Sequence, residues 1–270
     1  MIRASAATGG SASSRRVSAA AVVVSVVLGV ARRKPRVRME VLRRSDWTAA
    51  DIGELYGLAS GLAAEDAEHF AVHADANEVV HIFRRADTGR IVGFQFWSTL
   101  PVDLPRSRLI AGGKLRVVPE FRNRGLHLLS GLTFFLQNQL LRPRTRFYRV
   151  SLASIFGFVS ITQALAEYRM IDAAAPGDPE KAIGRAVLSW AAQNHFVPRE
   201  DTGLFFVDIF TTEHTLARYP AAFFERPAAR EYAARNPDFR TNGCYAAFWF
   251  RFGSRNVIAL TNAVARKLRR

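Results

Sequence analysis

The chain has 270 residues, 49% hydrophobic and 11% aromatic, which is enough to bury a substantial core and too apolar for a disordered polymer. Its formal charge of +15 sits at the two ends: residues 1–44 carry ten basic side chains and one acid, and residues 251–270 carry six basic side chains and none. Residues 45–250 are balanced, with no recognition-helix, zinc-finger or aromatic-basic pattern, so nucleic acid is not expected as the main partner. One cysteine, Cys244, excludes an intramolecular disulfide and a multi-cysteine metal site.

Residues 1–38 read as a basic and apolar N-terminal extension. The apolar run at 17–31 is shorter than the roughly 20 residues that span a bilayer. It resembles a signal-peptide core with Gly29-Val30-Ala31 as a cleavage site, although a basic cluster follows directly. A true start at Met39, or a loose membrane anchor, are the other readings. From Met39 the pattern predicts a strand at 39–44, a helix at 48–62 signalled by Ser45, Asp46 and Thr48, and a second helix at 65–73. Strands follow at 78–85, 91–99 and 107–118, with Asp87-Thr88-Gly89 as the hairpin turn between the first two. A helix at 124–141, a strand at 146–153 and a helix at 157–168 complete the first region. The Pro176–Pro179 segment then breaks the pattern. Beyond it come a helix at 179–193, a strand at 203–210, a helix near 226–235, an aromatic strand at 244–252 and a last helix at 254–270. The aromatic density of 244–252 implies burial against the first region, so the whole reads as one domain with a C-terminal elaboration over 173–270. The basic residues that end the last helix suit either its dipole or a membrane surface.

The most informative stretch is 115–127, Leu-Arg-Val-Val-Pro-Glu-Phe-Arg-Asn-Arg-Gly-Leu-His. A strand passes through a basic, glycine-containing turn into a helix whose first turn has unpaired N–H groups and the positive dipole end. That combination suits a phosphate. Gly125 lets a ligand approach the backbone with no Cβ in the way. The plainer alternative is an ordinary strand-to-helix turn with surface arginines.

The segment resembles the acyl-CoA-binding signature of the Gcn5-related N-acetyltransferases, roughly V-x-P-x-x-R-x-x-G-x-G/A, with Val117, Pro119, Arg122 and Gly125 in register and His127 where the last small residue belongs. The element order over 39–172 resembles that family as well. The resemblance implies an α+β fold: a mixed, mostly antiparallel central sheet flanked by helices, carrying here a C-terminal α/β elaboration. It also implies acetyl-CoA or another acyl-CoA as co-substrate, held by Val117, Arg122, Asn123, Arg124, Gly125, Leu126 and His127, and a small-molecule or peptide amine as acceptor. Direct attack of the amine on the thioester follows from the same resemblance. Tyr168 is the one tyrosine near the helix that carries the family's acid, about a turn out of register, and no residue stands out as base. Glu120 falls where the family has a solvent-facing acid.

Two further readings stay open. One is a membrane-proximal synthase taking a long acyl chain from an acyl carrier protein, to which basic ends would be drawn as they would to an anionic membrane. The other is a relative of the fold that binds without turnover, since His127 alters the cradle. An acyl-CoA substrate points to a cytoplasmic protein, with membrane association through the N-terminal segment as a variant. Gly112-Gly113-Lys114 lacks the spacing and the Ser/Thr of a phosphate loop and reads as a distorted strand. His69 and His73 have metal-binding spacing but no third ligand, and no GxSxG elbow is present, so neither a metal site nor hydrolase chemistry is expected.

Overall fold

In the computed structural model, residues 35–62, 66–171, 177–199, 202–211 and 213–268 are described; the extension at 1–34, with its apolar run, lies outside them. The elements in chain order are β1 (Val37–Arg43), α1 (Ala49–Ser60), α2 (Ala67–Asp75), β2 (Val79–Arg85), β3 (Ile91–Pro101), β4 (Ser107–Val117), α3 (Leu126–Leu141), β5 (Arg146–Ala153), α4 (Ile155–Thr162) and β6 (Arg169–Met170). They continue with α5 (Asp178–Gln193), β7 (Val197–Arg199), β8 (Leu204–Phe206), α6 (Glu213–Leu216), α7 (Ala221–Phe224), α8 (Pro227–Arg235), β9 (Cys244–Arg251) and α9 (Ser254–Leu268).

Local chemistry fixes the ends. Thr48 and Asp51 form a capping box on α1, the Asp51 carboxylate accepting from the Thr48 N–H at 2.9 Å and the Thr48 hydroxyl from the Asp51 N–H at 3.2 Å. Asp66 caps α2, its carboxylate accepting from the His69 N–H at 2.7 Å, which moves this helix later than the expected 65–73. The helix expected at 157–168 stops at Thr162, so Tyr168 lies beyond it and leads into β6. The strand expected at 203–210 shortens to β8 because Asp208 takes a left-handed conformation at φ 55°.

Among the described residues the strands form one nine-stranded sheet in the order β1-β2-β3-β4-β5-β9-β8-β7, with β6 paired to β9 beyond β8's span. Every pairing is antiparallel except β4 with β5. The expected mixed, mostly antiparallel sheet flanked by helices is therefore the observed architecture. β9 sits in the interior, hydrogen-bonded to β5 from Ala246 to Arg251, so the C-terminal residues extend the same sheet.

One face carries Trp97, Ile110, Phe147, Phe248 and Phe250, which pack with α3, α4, α8 and α9. The other carries Phe94 and Phe96 against α1 and α2, and Leu109, Val150 and Ala247 against α5. Trp97 is wedged by two glycines: a Cβ on Gly112 would lie 2.6 Å from its ring, and one on Gly131 would lie 3.1 Å from it.

Two irregularities of β4 create the opening used below. Its parallel pairing with β5 runs only from Ser107–Arg146 to Ala111–Val150, although β4 continues to Val117 and β5 to Ala153. In the same stretch its register against β3 slips between Phe94 and Phe96, which pair with Arg116 and Gly113, and Lys114 takes φ 38°. Gly112-Gly113-Lys114 is thus a bulged strand.

Candidate functional site

The turn after β4 is held from below and from the sides. Phe121, 2% exposed, plugs into a cluster with Met39, Phe83, Val92 and Leu126. The Arg122 Nε donates to the Val117 carbonyl at 3.1 Å. Arg124 donates from Nη1 to the Pro35 carbonyl at 2.8 Å and from Nη2 to the Glu120 carbonyl at 3.4 Å, with its guanidinium 4.3 Å from the Phe121 ring centre. Both arginines therefore brace the turn with the groups that the sequence assigned to ligand charge.

Asn123 at φ 62° and Gly125 at φ 73° are both left-handed, and Gly125 is the N-cap of α3. Left-handed residues in a turn are the kind of backbone from which anion nests are built. Among the described residues no hydrogen bond occupies the backbone N–H groups of Asn123, Arg124, Gly125, Leu126 or His127. The expected cradle residues are brought together in one turn. His127, half-buried in the first turn of α3, places Nε2 3.1 Å from the Ser160 hydroxyl on α4. Burial pushes its pKa down to about 3, with Arg149 and Lys267 adding in the same direction, so the ring is neutral at pH 7.

Beyond the turn, the gap between β4 and β5 is lined on its α2 side by polar groups. Lys114, 9% exposed, holds its ammonium 5.1 Å from the Phe70 ring centre. Burial and the nearby Arg116 bring its pKa down to about 6. His73 is lowered to about 3 by burial, then by His69, Arg116 and His195, and its ring lies 4.7 Å from that of His69. Tyr245, at the start of β9, shares a hydrogen bond with Ser154 just past β5. Its phenol is raised by burial, while Arg116 acts in the opposite direction. Tyr245 is the polar group that the sequence reading missed. It reaches the gap only because β9 pairs with β5, and no local pattern announces a pairing between strands so far apart in the chain.

Tyr168 stands elsewhere. It precedes β6, which pairs with Trp249 and Phe248 on the edge of β9 that faces away from β5. Its hydroxyl donates to the Glu231 carboxylate, and it packs edge-on against Phe158 and Phe248. Burial and that carboxylate raise its pKa. A cavity of about 250 Å³ lined by Tyr148, Glu167, Tyr168, Glu180 and Trp249 opens beside this tyrosine. The structure therefore does not bring Tyr168 to the cradle. Among the described residues no group of three or more His, Cys, Asp or Glu is placed to hold a metal, and no helix is long and apolar enough to cross a membrane.

No family model matches this chain, and no curated protein matches it. Solved structures do, over about half of its length. The GNAT-family N-acetyltransferase YhbS from Escherichia coli in complex with CoA is 14% identical, with 47% of this chain and 67% of that one covered and a TM-score of 0.34. A protein of Enterococcus faecalis V583 described as a probable N-acyltransferase is 14% identical with a TM-score of 0.37; 50% of this chain is covered but only 33% of that one, so this chain spans about a third of it. Arabidopsis thaliana NAA60 in complex with acetyl-CoA is 14% identical, with 50% of this chain and 88% of that one covered and a TM-score of 0.34. Each of these likenesses covers about half of this chain. Likeness at this distance describes shape, and the chemistry is argued from the site itself.

Proposed function

We propose that this chain is an acyl-CoA-dependent N-acyltransferase that transfers an acetyl-sized group to an amine by direct attack. The observation that carries the proposal is a single constellation. N–H groups around left-handed Gly125, unpaired among the described residues, follow the strand, β4, that parts from β5. The backbone of residues 123–127 would receive the pyrophosphate. The facing edges of β4 and β5, unpaired with each other beyond Ala111 and Val150, would receive the pantetheine arm.

The amine enters from the α2 side of the gap. Its nitrogen attacks the thioester carbonyl, the C–N bond forms as the C–S bond breaks, the nitrogen gives up a proton and the departing thiolate takes one. Tyr245, kept protonated by burial beside Ser154, would supply the thiolate's proton. The aromatic side chains of the 203–252 region support a short acyl group. They are spent on the core, with Phe248 5.1 Å from Phe158 and Phe250 5.1 Å from Phe252.

The test is release of CoA thiol from acetyl-CoA across a panel of amines bearing neutral, carboxylate and peptide backbones. Amine-dependent thiol release is the expected result. Tight acetyl-CoA binding with no release for any amine would replace the enzyme reading with that of a binding module.

A further inference from the structure

The end of α3 opposite the cradle carries a corner that is both basic and apolar. Residues 121–166, which include α3, β5 and α4, contain no acid, so the arginines among them are not balanced within their own elements. α3 ends in Leu140 and Leu141, 82% and 73% exposed, with Leu136 (46%) one turn back on the face of Leu140. Of the eight large hydrophobics exposed among the described residues, these three fall within six positions. Single exposed leucines are ordinary; a helix end that projects two neighbouring ones is not.

Arg142, Arg144 and Arg146 follow directly and are exposed. Exposed Arg106, just before β4, joins them, its carbonyl accepting from the Arg146 N–H at 2.8 Å. The loop that presents them is braced. The Gln139 side-chain amide donates to the carbonyls of Arg142, Pro143 and Thr145 at 3.2, 3.0 and 3.3 Å. Arg142 bonds a neutral group, the Asn138 amide oxygen, at 2.9 Å. Asp103, the acid that precedes β4 in the chain, is bridged to Arg185 of α5 at 3.1 Å. Four arginines around two projecting leucines fit a layer that offers phosphates at one depth and hydrocarbon just below it. The guanidinium forks suit phosphate oxygens, and the leucines suit the apolar layer. Side chains this exposed project from a corner, which enters a yielding layer more readily than a rigid protein pocket.

We infer that this corner docks the protein on an anionic lipid surface, with Leu140 and Leu141 inserted and the four arginines against headgroup phosphates. The inference is independent of the acyl-CoA reading, because the 16-residue α3, about 24 Å long, separates the corner from the cradle. Cosedimentation of the full chain with vesicles tests it, comparing phosphatidylcholine alone with a roughly two-to-one mixture of phosphatidylcholine and phosphatidylserine. Binding to the mixed vesicles alone is expected, and it should fall as salt rises. The triple variant Arg106→Gln, Arg144→Gln, Arg146→Gln should weaken it on the order of 100-fold, from about fivefold per arginine. The double variant Leu140→Ser, Leu141→Ser should weaken it on the order of 10-fold at unchanged charge. Both variants alter exposed side chains, so wild-type melting is the control for their fold. Equal binding to the two vesicle types, or no vesicle binding, overturns the inference. So does binding that either variant leaves unchanged, which would place the contact elsewhere, as in the basic and apolar residues 1–34. Arginine-dependent capture of an acyl carrier protein without vesicle binding would replace the lipid with an acidic protein.

Discussion

Acid should unfold this protein earlier than its carboxylates alone would, because two histidines are locked neutral in its core. His73 and His81 are 2% and 0% exposed, and both have pKa values lowered to about 3. For His81 the cause is burial. The Ser130 hydroxyl accepts from Trp97 Nε1 at 2.8 Å and lies 2.8 Å from His81 Nδ1. For His73, His69, Arg116 and His195 add to burial. The unfolded chain protonates these rings near 6.5 and the folded chain near 3, so between those values the unfolded state binds more protons and stability falls as pH falls. Each ring contributes a slope that rises to about 1.4 kcal/mol per pH unit below its unfolded pKa, so acidification from about pH 6.5 to about pH 5 removes roughly 3 kcal/mol for the pair. That is a large share of the roughly 5–15 kcal/mol that holds a domain folded. Lys114, lowered to about 6 from 10.5, acts with the same sign at higher pH, stability rising between those values as pH rises. Urea unfolding followed by tryptophan fluorescence at a series of pH values measures this directly. A midpoint that does not move between about pH 6.5 and about pH 5 would refute the assignment of these rings as buried and neutral.

Gly125→Ala forces a side chain into the left-handed region, at a cost of about 1–2 kcal/mol, and pushes on the Lys267 stem. Lower thermal stability and weaker CoA binding are expected together, with Gly125→Val worse in both, and unchanged melting and affinity would contradict the αL cap. Arg124→Ala loses the bond to the Pro35 carbonyl and the stack on Phe121; it should cost about 1–2 kcal/mol of stability and speed proteolytic cleavage near residue 35, and cleavage at the wild-type rate would argue against the brace. Tyr245→Phe should lower kcat roughly 10²- to 10⁴-fold with CoA affinity intact, and wild-type kcat would remove Tyr245 from proton transfer.

The cradle was legible in the sequence because it is local: strand, left-handed glycine and helix start are consecutive, and Val117, Pro119, Arg122 and Gly125 carry them. Long elements with a clear period, such as α3 and β5, were legible for the same reason. β6 and β7, at two and three residues, are too short to show a period, and they exist because β9 and β8 offer them an edge. The roles of Arg122 and Arg124 were hidden because an arginine bonded to carbonyls looks in sequence like one awaiting a phosphate. Tyr245 meets Ser154 only through the pairing of β9 with β5, and Arg149 and Lys267, from β5 and α9, bear on His127 only through packing. Tyr168 shows the converse, since closeness in sequence to α4 left its hydroxyl bonded to Glu231.

Titration of the wild-type chain with acetyl-CoA in a calorimeter tests the central claim most directly. Saturable binding at one site per chain, competed by 3′-dephospho-CoA and poorly by pantetheine, is the predicted result. No heat of binding for acetyl-CoA or CoA at millimolar concentration would contradict a pyrophosphate cradle at Gly125.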